Sequence, residues 1–346
     1  MRRYETLETL FGKVDLSFAE KVLNESYHAK DSVGRPPRSP LGLFKAHLLR
    51  RVRHVPSDRM LVRQMWKDPR LRRICDIEED EPPYGIAVLS RFRKRVGPER
   101  LMRIVDHAIE LLVRKGRIKG EALALDSTFI KAHSRRSLDN RTGYSDPESR
   151  VGRAVKARDL GYRLHLAVDV KSEMPVAMTV ASADENEKKH SMQLFERASC
   201  HVKPRRLLAD PQYSSANLRE AALRRGTLPV IPYPRNQMKG ARGILRIDRK
   251  FKSHGPSELR RAYRKRVAVE RVFSRLKNLA GLGQHNLRGL AKITFHAQLC
   301  LLIMLFTAQA AINTHKPGKS RSIRYFASEF RNRDCVKNQP GLLMRA

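Results

Sequence analysis

The chain has 346 residues, which exceeds one typical domain and is long enough to bury a sizeable core. Its 71 Lys and Arg stand against 35 Asp and Glu, a formal net charge of +36, which is more than solubility requires and points to nucleic acid as a partner. A charge-rich protein without chemistry is the alternative. Four scattered cysteines argue against a zinc site and a disulfide framework, and the lack of a P-loop argues against a nucleotide cofactor.

The amino-terminal third is predicted to be helical. Apolar periodicity predicts helices over residues 41–55, 57–67, 89–96 and 98–114. Three-helix DNA-binding units are built from such pieces. The helix that contains Arg91, Arg93 and Lys94 is our candidate for a groove or phosphate contact, with a solvated basic face as the alternative. We predict a helical DNA-binding domain over residues 1–116, with the linker KGRIKG at its end.

The following part is predicted to alternate between strands and helices. A strand around Asp126 precedes a hairpin, a helix, a short strand ending at Asp210, a second helix, another strand and a last helix. The predicted bounds are 162–170 and 175–183 for the hairpin, 186–200 and 215–225 for the helices, 227–231 for the strand, and about 257 for the start of the last helix. This order is the layout of a ribonuclease H-like α/β fold, a mixed five-stranded sheet with flanking helices. We place this domain at residues 117–314, with a basic insertion at about 233–256.

Two aspartates occupy positions in these strands where a ligand is expected. Asp126 lies in the middle of the apolar strand LALDSTFI, where a carboxylate is costly to bury without a cation, and a metal ion would be one. Asp210 ends the run RRLLAD before Pro211, which stops the strand, and acids at strand ends project into loops where ligands bind. For either residue alone, a capping or turn role is the ordinary alternative.

The last predicted helix carries four functional side chains at helical spacing. Tyr263, Arg266, Glu270 and Lys277 follow one another at intervals of three, four and seven residues. At about 100° per residue they fall within roughly 60° on one face of a single α-helix. One acid ringed by two cations and a phenol can hold a metal ion against a phosphate. A surface helix with an ordinary Arg266–Glu270 pair is the alternative.

This quartet has the spacing Tyr-x2-Arg-x3-Glu-x6-Lys, and with it the chain resembles one branch of the DDE transposases of prokaryotic insertion sequences. The resemblance includes LALDST around Asp126, LLADPQYSS around Asp210 and the strand GYRLHLAVD. It also includes PRSPLGLFKAHLLR and LSRFRKRVG in the helical region, so that it covers roughly residues 7–312. One position departs from the pattern, because Gln212 stands where the family often has glycine before the tyrosine.

The resemblance implies that Asp126, Asp210 and Glu270 are the catalytic and metal-binding residues. They would hold two Mg2+ ions, for which Mn2+ could substitute. The enzyme would cut DNA at the ends of its own insertion sequence and then use the freed 3′-hydroxyl groups to attack target DNA. Arg266 and Lys277 would neutralise phosphate charge near the cut. Tyr263 would contact a phosphate, stack on an unpaired base, or simply pack at the start of the helix.

The implied partners are double-stranded DNA, as terminal inverted repeats and as target, and a second copy of the chain on paired ends. Two basic connections are expected to contact the DNA backbone: residues 131–163 carry nine Lys or Arg against four acids, and residues 233–256 carry seven against one. Two other functions stay open at this point. The chain could be a related metal-dependent nuclease that cuts without joining, or a transposase-derived DNA-binding protein that has lost catalysis.

The remaining segments bear on location and order. The apolar run AQLCLLIMLFTAQAAI has only about ten residues between Gln298 and Gln309, whereas a membrane span needs about 20, so we predict a buried helix on the sheet and no membrane partner. No signal-peptide pattern is present, and a cytoplasmic, nucleoid-associated protein is expected. Residues 315–346 are predicted to form a basic, loosely ordered tail. The histidines, including His165, show no spacing typical of a ligand cluster.

Overall fold

The computed structural model describes residues 6–27, 37–135, 144–154, 157–234 and 257–327. Most of the predicted insertion at about 233–256, part of the basic connection at 131–163 and the end of the predicted tail lie outside the described residues. The described part has a mixed α/β architecture, in which helices precede and then cover one sheet.

The amino-terminal third is helical, as its apolar periodicity predicts. Ser39 and Ser57 each accept a hydrogen bond from a backbone N–H of the helix that follows, so two of these helices begin with a side-chain cap. The helices predicted at 89–96 and 98–114 are both present and meet at a kink, where Gly97 has a non-helical φ of +68° immediately before Pro98; the two together are labelled α6. The helices are α1 (Leu7–Gly12), α2 (Ser17–Asn24), α3 (Pro40–Val52), α4 (Asp58–Lys67), α5 (Pro69–Ile74) and α6 (Ile86–Arg114).

A mixed sheet forms the centre of the molecule. Its strands are β1 (Ala122–Lys131), β2 (Arg150–Arg153), β3 (Arg158–Asp169), β4 (Met174–Ser182), β5 (Arg206–Ala209) and β6 (Leu228–Val230). Strands β1, β5 and β6 are parallel neighbours, whereas β3 pairs antiparallel with β1, β2 and β4. The five predicted strands are all present, and their arrangement is the ribonuclease H-like one expected from the sequence.

The sixth strand, β2, was not predicted. It lies in the basic connection after β1 and pairs with the first residues of β3, next to the stretch of β3 that pairs with β4. Its sequence RVGR contains a single large apolar residue, so no alternation marks it as a strand. The strand forms because the exposed beginning of β3 offers unpaired backbone groups.

Further helices pack on this sheet. Helix α7 contacts β3 and β4, α10 contacts β1 and β3, and α11 contacts β4 and α6. Their bounds, with those of the neighbouring helices, are α7 (Glu187–His201), α8 (Ala216–Arg224), α9 (Ser257–Arg264), α10 (Val267–Asn278), α11 (Leu290–Asn313) and α12 (Ile323–Ala327). One continuous apolar core therefore runs from the amino-terminal helices into the sheet.

Helix α11 contains the apolar run that the sequence places in the core. It is the one helix in the described ranges that is long and apolar enough to cross a membrane, yet 94% of its most apolar window is buried inside the protein. Gln298, at one end of that run, donates from Nε2 to the backbone oxygen of Pro98 over 2.9 Å. The prediction of a buried helix is therefore confirmed, although α11 has 24 residues and is much longer than the central apolar stretch.

The prediction of one uninterrupted last helix is wrong, because the segment is broken into α9 and α10. At the break, backbone N–H groups donate to carbonyls three residues earlier, for example Arg266 N to Tyr263 O at 2.9 Å, so a tighter turn replaces the α-helical pattern. No glycine or proline lies between Ser257 and Ala280 to mark this break. Tyr263 therefore belongs to α9, whereas Glu270 and Lys277 belong to α10.

Candidate active site

The sheet places Asp126 and Asp210 side by side. Leu125 of β1 is paired with Ala209 of β5 in parallel register. Asp126 directly follows Leu125, and Asp210 directly follows Ala209. Neighbouring strands lie about 4.8 Å apart, so the two carboxylates project from equivalent positions. Asp210 Oδ1 also accepts a hydrogen bond from Gln212 N at 3.0 Å, which caps a single 3₁₀ turn over Pro211–Tyr213.

Asp126 is largely removed from water and is held by one cation. Its Oδ2 accepts a hydrogen bond from Arg266 Nη1, and its Oδ1 accepts one from Ser127 N at 2.8 Å. Burial raises the pKa of Asp126 above its usual value; the attraction of Arg266 opposes that rise, and the negative charge of Asp210 adds to it. The positive charge of Arg266 therefore offsets the cost of burying this carboxylate only in part.

Arg266 also connects Asp126 to the third acid. Its Nη2 lies 2.9 Å from Glu270 Oε1, so one guanidinium bridges a β1 carboxylate and an α10 carboxylate. The Glu270 side chain is 53% exposed, in contrast to 21% for Asp126. The structure thus brings Asp126, Asp210, Arg266 and Glu270 to one end of the sheet.

Tyr263 borders the same acids from α9. Burial raises the pKa of its hydroxyl to about 12, and the negative charges of Asp210 and Asp126 contribute to this rise while Arg266 opposes it. Its ring centroid lies 6.0 Å from the guanidinium carbon of Arg266. Tyr263 is therefore part of the acid cluster although it lies on a separate helix.

Lys277 is the member of the quartet that stands apart. It lies two turns beyond Glu270 on α10, and it forms no ion pair with these acids in the described part of the chain. Burial of about half of the side chain lowers the pKa of the ammonium group. Lys277 is therefore a partly desolvated cation two turns away from Glu270 rather than a counter-ion within the cluster.

The donor set fits a hard divalent cation, since carboxylate oxygens are the ligands such ions prefer. Asp126 and Asp210 meet this requirement, because both carboxylates face the same space and Asp126 lacks sufficient positive charge. In the described ranges, however, no three acidic, histidine or cysteine side chains converge on one point, because Arg266 lies between Asp126 and Glu270. Glu270 can join a cation site only when that guanidinium moves.

A second polar cluster lies behind β1 and was missed in the sequence. Successive strand residues face opposite sides, so Ser127 points away from the acids and lies opposite His165 of β3. The hydroxyl oxygen of buried Tyr213 lies 3.0 Å from His165 Nδ1. Burial lowers the pKa of His165 to about 3. The His165 and His190 rings are 4.8 Å apart. This cluster supports the strand that carries Asp126 and the turn that follows Asp210.

Helix α10 is fixed by an acid that the sequence did not single out. Glu173 lies in the tight turn between β3 and β4 with a positive φ of 56°, and it is 5% exposed. Its carboxylate pairs with Arg271 at 2.8 Å, Arg275 at 2.9 Å and Arg321 at 3.2 Å. Because Arg271 and Arg275 belong to α10, this clamp determines where the neighbouring Glu270 lies.

The departure at Gln212 has a simple structural account. Gln212 is exposed in the 3₁₀ turn, and it is not among the described residues with a positive φ. A glycine is therefore not required at this position. A cavity of about 340 Å³ opens beside this turn and is lined in part by Gln212. An adjoining cavity of about 680 Å³ shares Arg153, Arg163 and Glu187 with it.

The three basic residues predicted to contact DNA on α6 do not share one environment. Arg91 and Lys94 are exposed, but Arg93 is not on that surface. Its Nη1 lies 2.8 Å from Asp58 Oδ2, and only 12% of the side chain is exposed. A DNA contact of Arg93 stays a prediction, although its guanidinium already pairs with Asp58 inside the helical region. None of the hydrogen bonds or ion pairs of these residues involves the acid cluster.

Comparison with known families agrees with this geometry. A family model described as "Transposase DDE domain" matches residues 117–306, more than half of the chain. The chain belongs to the DDE transposase family. A second model, described as a transposase domain, matches residues 2–95 of the same transposase.

The three proteins named below share little sequence identity with this transposase. An uncharacterized protein, ORF8 in the nfe locus of Rhizobium meliloti, is 28% identical over 93 residues, which are 26% of this chain and 44% of that protein. The piggyBac transposase synaptic complex with hairpin DNA is 11% identical with a TM-score of 0.47, covering 99% of this chain and 84% of that one. The Mos1 transposase paired-end complex is 12% identical with a TM-score of 0.21, covering 74% and 82%. With TM-scores below 0.5, these two likenesses add nothing to the family assignment.

Proposed function

We propose that this transposase belongs to the branch with the Tyr-x2-Arg-x3-Glu-x6-Lys signature, and that it cuts DNA at the ends of its own insertion sequence and joins the freed 3′ ends to target DNA. The observation that carries the proposal is the bridge that Arg266 forms between Asp126 and Glu270, with Asp210 at the equivalent position of the next strand. An ordinary pair along a surface helix would not involve a partly buried acid from a distant strand.

Asp126, Asp210 and Glu270 are proposed to hold two Mg2+ ions, or Mn2+ in their place. Such ions lower the pKa of a bound water or 3′-hydroxyl and stabilise charge on the leaving oxygen. Arg266, once displaced from the carboxylates, is in reach of a phosphate at the same end of the sheet. Lys277 is proposed as a second cation that neutralises phosphate charge near the cut. The Tyr263 hydroxyl stays protonated at neutral pH because its pKa is about 12, so it can donate a hydrogen bond to a phosphate oxygen.

The partners proposed for this chemistry are double-stranded DNA and a second copy of the chain. The charge of +36 supports a DNA partner, and two coordinated cuts at paired ends would require a dimer. Sedimentation of the protein with end DNA should show two chains for each pair of ends. A strictly monomeric complex would contradict the proposed dimer.

The test is to incubate the protein with Mg2+ and DNA that carries the gene and both flanks, and to map new 3′ ends and joined products. We expect defined cuts at the flanks and strand-transfer products for the wild type, and neither for Glu270→Gln. Glu196→Gln, a change of an exposed carboxylate on α7, serves as the matched control and should retain both products. Metal-independent binding without any cutting by the wild type would refute the catalytic proposal.

A further inference from the structure

One face of α4 combines exposed apolar and basic side chains. Trp66, the single tryptophan of the chain, is 59% exposed, and Met60 is 38% exposed. Arg59, Arg63 and Lys67 are also exposed. At about 100° per residue these five side chains fall within roughly 120° of the helix circumference. We call this set the α4 face.

The opposite side of α4 is buried and holds the helix in place. Leu61 and Met65 are fully buried. At the first turn, Asp58 pairs with Arg50 of α3 at 2.6 Å and with Arg93 of α6 at 2.8 Å. A buried acid that joins three helices fixes the orientation of α4, so the α4 face is presented by a rigid element. Helix α4 is also the second helix of the pair α3 and α4, which a short connection joins. In helix-turn-helix units, the second helix is the one that contacts DNA.

The charge pattern of the α4 face indicates a polyanionic partner. It carries three cations and no acid, because the single acid of α4 is the buried Asp58. Two copies of this face would repel each other, which argues against a copy-to-copy contact. An exposed tryptophan among cations suits a polyanion whose sugars and bases offer apolar surface, since the cations neutralise phosphates while the ring stacks or packs.

We propose that the α4 face is a binding surface for double-stranded DNA, with Arg59, Arg63 and Lys67 on phosphates and Trp66 packed against the sugar or base edges. The inference rests on the proposed function, since it identifies where the transposase would hold its end DNA. It also moves the main contact away from the α6 residues Arg91 and Lys94, because α6 offers no comparable exposed aromatic side chain on its basic surface.

The unique tryptophan supplies a direct measurement. Full-length protein in metal-free buffer would be titrated with a duplex carrying one end of the insertion sequence, while Trp66 emission and its quenching by acrylamide are followed. We expect the emission to change and acrylamide access to fall at saturation. The salt dependence of affinity should weaken as cations are removed: the slope of log affinity against log salt should fall by about one for Arg63→Ala and by about three for the triple variant Arg59→Ala, Arg63→Ala, Lys67→Ala.

Controls separate this proposal from general loss of charge or fold. Arg114→Ala removes an exposed cation at the far end of α6 and should leave the slope unchanged. Arg63→Lys keeps the positive charge, so its slope of log affinity against log salt should stay close to the wild-type slope. Far-UV circular dichroism would show that each variant is folded.

The proposal is overturned if labelled DNA binds, as judged by anisotropy, while Trp66 emission and acrylamide access stay constant and the triple variant keeps the wild-type slope. It is also overturned if the triple variant is monomeric while the DNA-free wild type is dimeric, since the face would then join two copies. Failure of the catalytic proposal gives a different result: end DNA would still protect Trp66, but Mg2+ would produce no cuts.

Discussion

At the scale of single residues, Asp126 would be costly to bury alone, and Arg266 is the side chain that offsets its charge. The sequence could indicate Asp126 and Asp210 because an acid in or after an apolar strand stands out, and parallel strands bring such positions together. It could not indicate His165 or Glu173. Their partners Tyr213 and Arg275 are distant along the chain, and neither residue lies in a motif with its partner.

The first prediction concerns the pH below which the site no longer binds a cation, which we call the acid limit of cation binding. Asp126 must lose its proton to bind a cation, and burial raises its pKa. As the pH is lowered, cation affinity should therefore begin to fall at a higher pH than it would for an exposed aspartate. Arg266→Ala removes the charge that opposes this rise. We therefore expect Mn2+ binding, followed by electron paramagnetic resonance, to weaken at a higher pH in Arg266→Ala than in the wild type.

Lys277→Ala is the matched control for this measurement, since Lys277 forms no ion pair with Asp126 among the described residues and lies two turns beyond Glu270. Its acid limit should coincide with that of the wild type. A common limit for the wild type and Arg266→Ala would contradict the assignment of Arg266 as the counter-ion of Asp126.

At the scale of elements, the position of α10 depends on the turn between β3 and β4. Periodicity locates both, but it cannot show that Glu173 in the turn binds two arginines of α10 and one that follows α11. Nor could it show the break between α9 and α10, which contains no glycine or proline. Local patterns therefore predict which elements exist, whereas ion pairs between distant residues set how they meet.

The second prediction tests this clamp. Glu173→Gln leaves three arginines without their anion, so the free energy of unfolding should fall by roughly 2 to 4 kcal/mol, less than for a fully buried pair because Arg271 and Arg321 are partly exposed. Urea unfolding would measure the change. Glu196→Gln should change stability by less than about 0.5 kcal/mol. Equal stabilities for the two variants would show that the clamp contributes nothing.

At the scale of the whole molecule, the helical region and the sheet share one apolar core. Helix α11 packs on both α6 and β4, and Gln298 ties it to the kink of α6. His54, just after α3, also reaches across to Gln284 at 2.9 Å. A domain boundary near residue 116 stays a prediction about the chain, and the packing argues that the two parts unfold together.

The third prediction follows from this shared core. Trp66 reports on the helical region, whereas far-UV circular dichroism reports on the whole chain, so both signals should give the same urea midpoint. Leu194→Ala removes a fully buried side chain of α7, on the sheet, and should lower stability by about 2 to 5 kcal/mol in both signals. A shift seen by circular dichroism alone would mean that the two parts unfold separately.

The bridge formed by Arg266 also separates folding from metal loading. In a zinc finger, the apo chain is unfolded because metal binding supplies the free energy of folding. Here, Arg266 already offsets part of the charge of the Asp126 carboxylate, so we expect the protein to fold before any cation binds. A chelator should therefore leave the melting temperature of the wild type nearly unchanged, whereas Arg266→Ala should be stabilised markedly by added Mg2+ in a differential scanning calorimetry experiment. On the proposed function, the transposase would therefore reach its DNA folded but not yet loaded with metal.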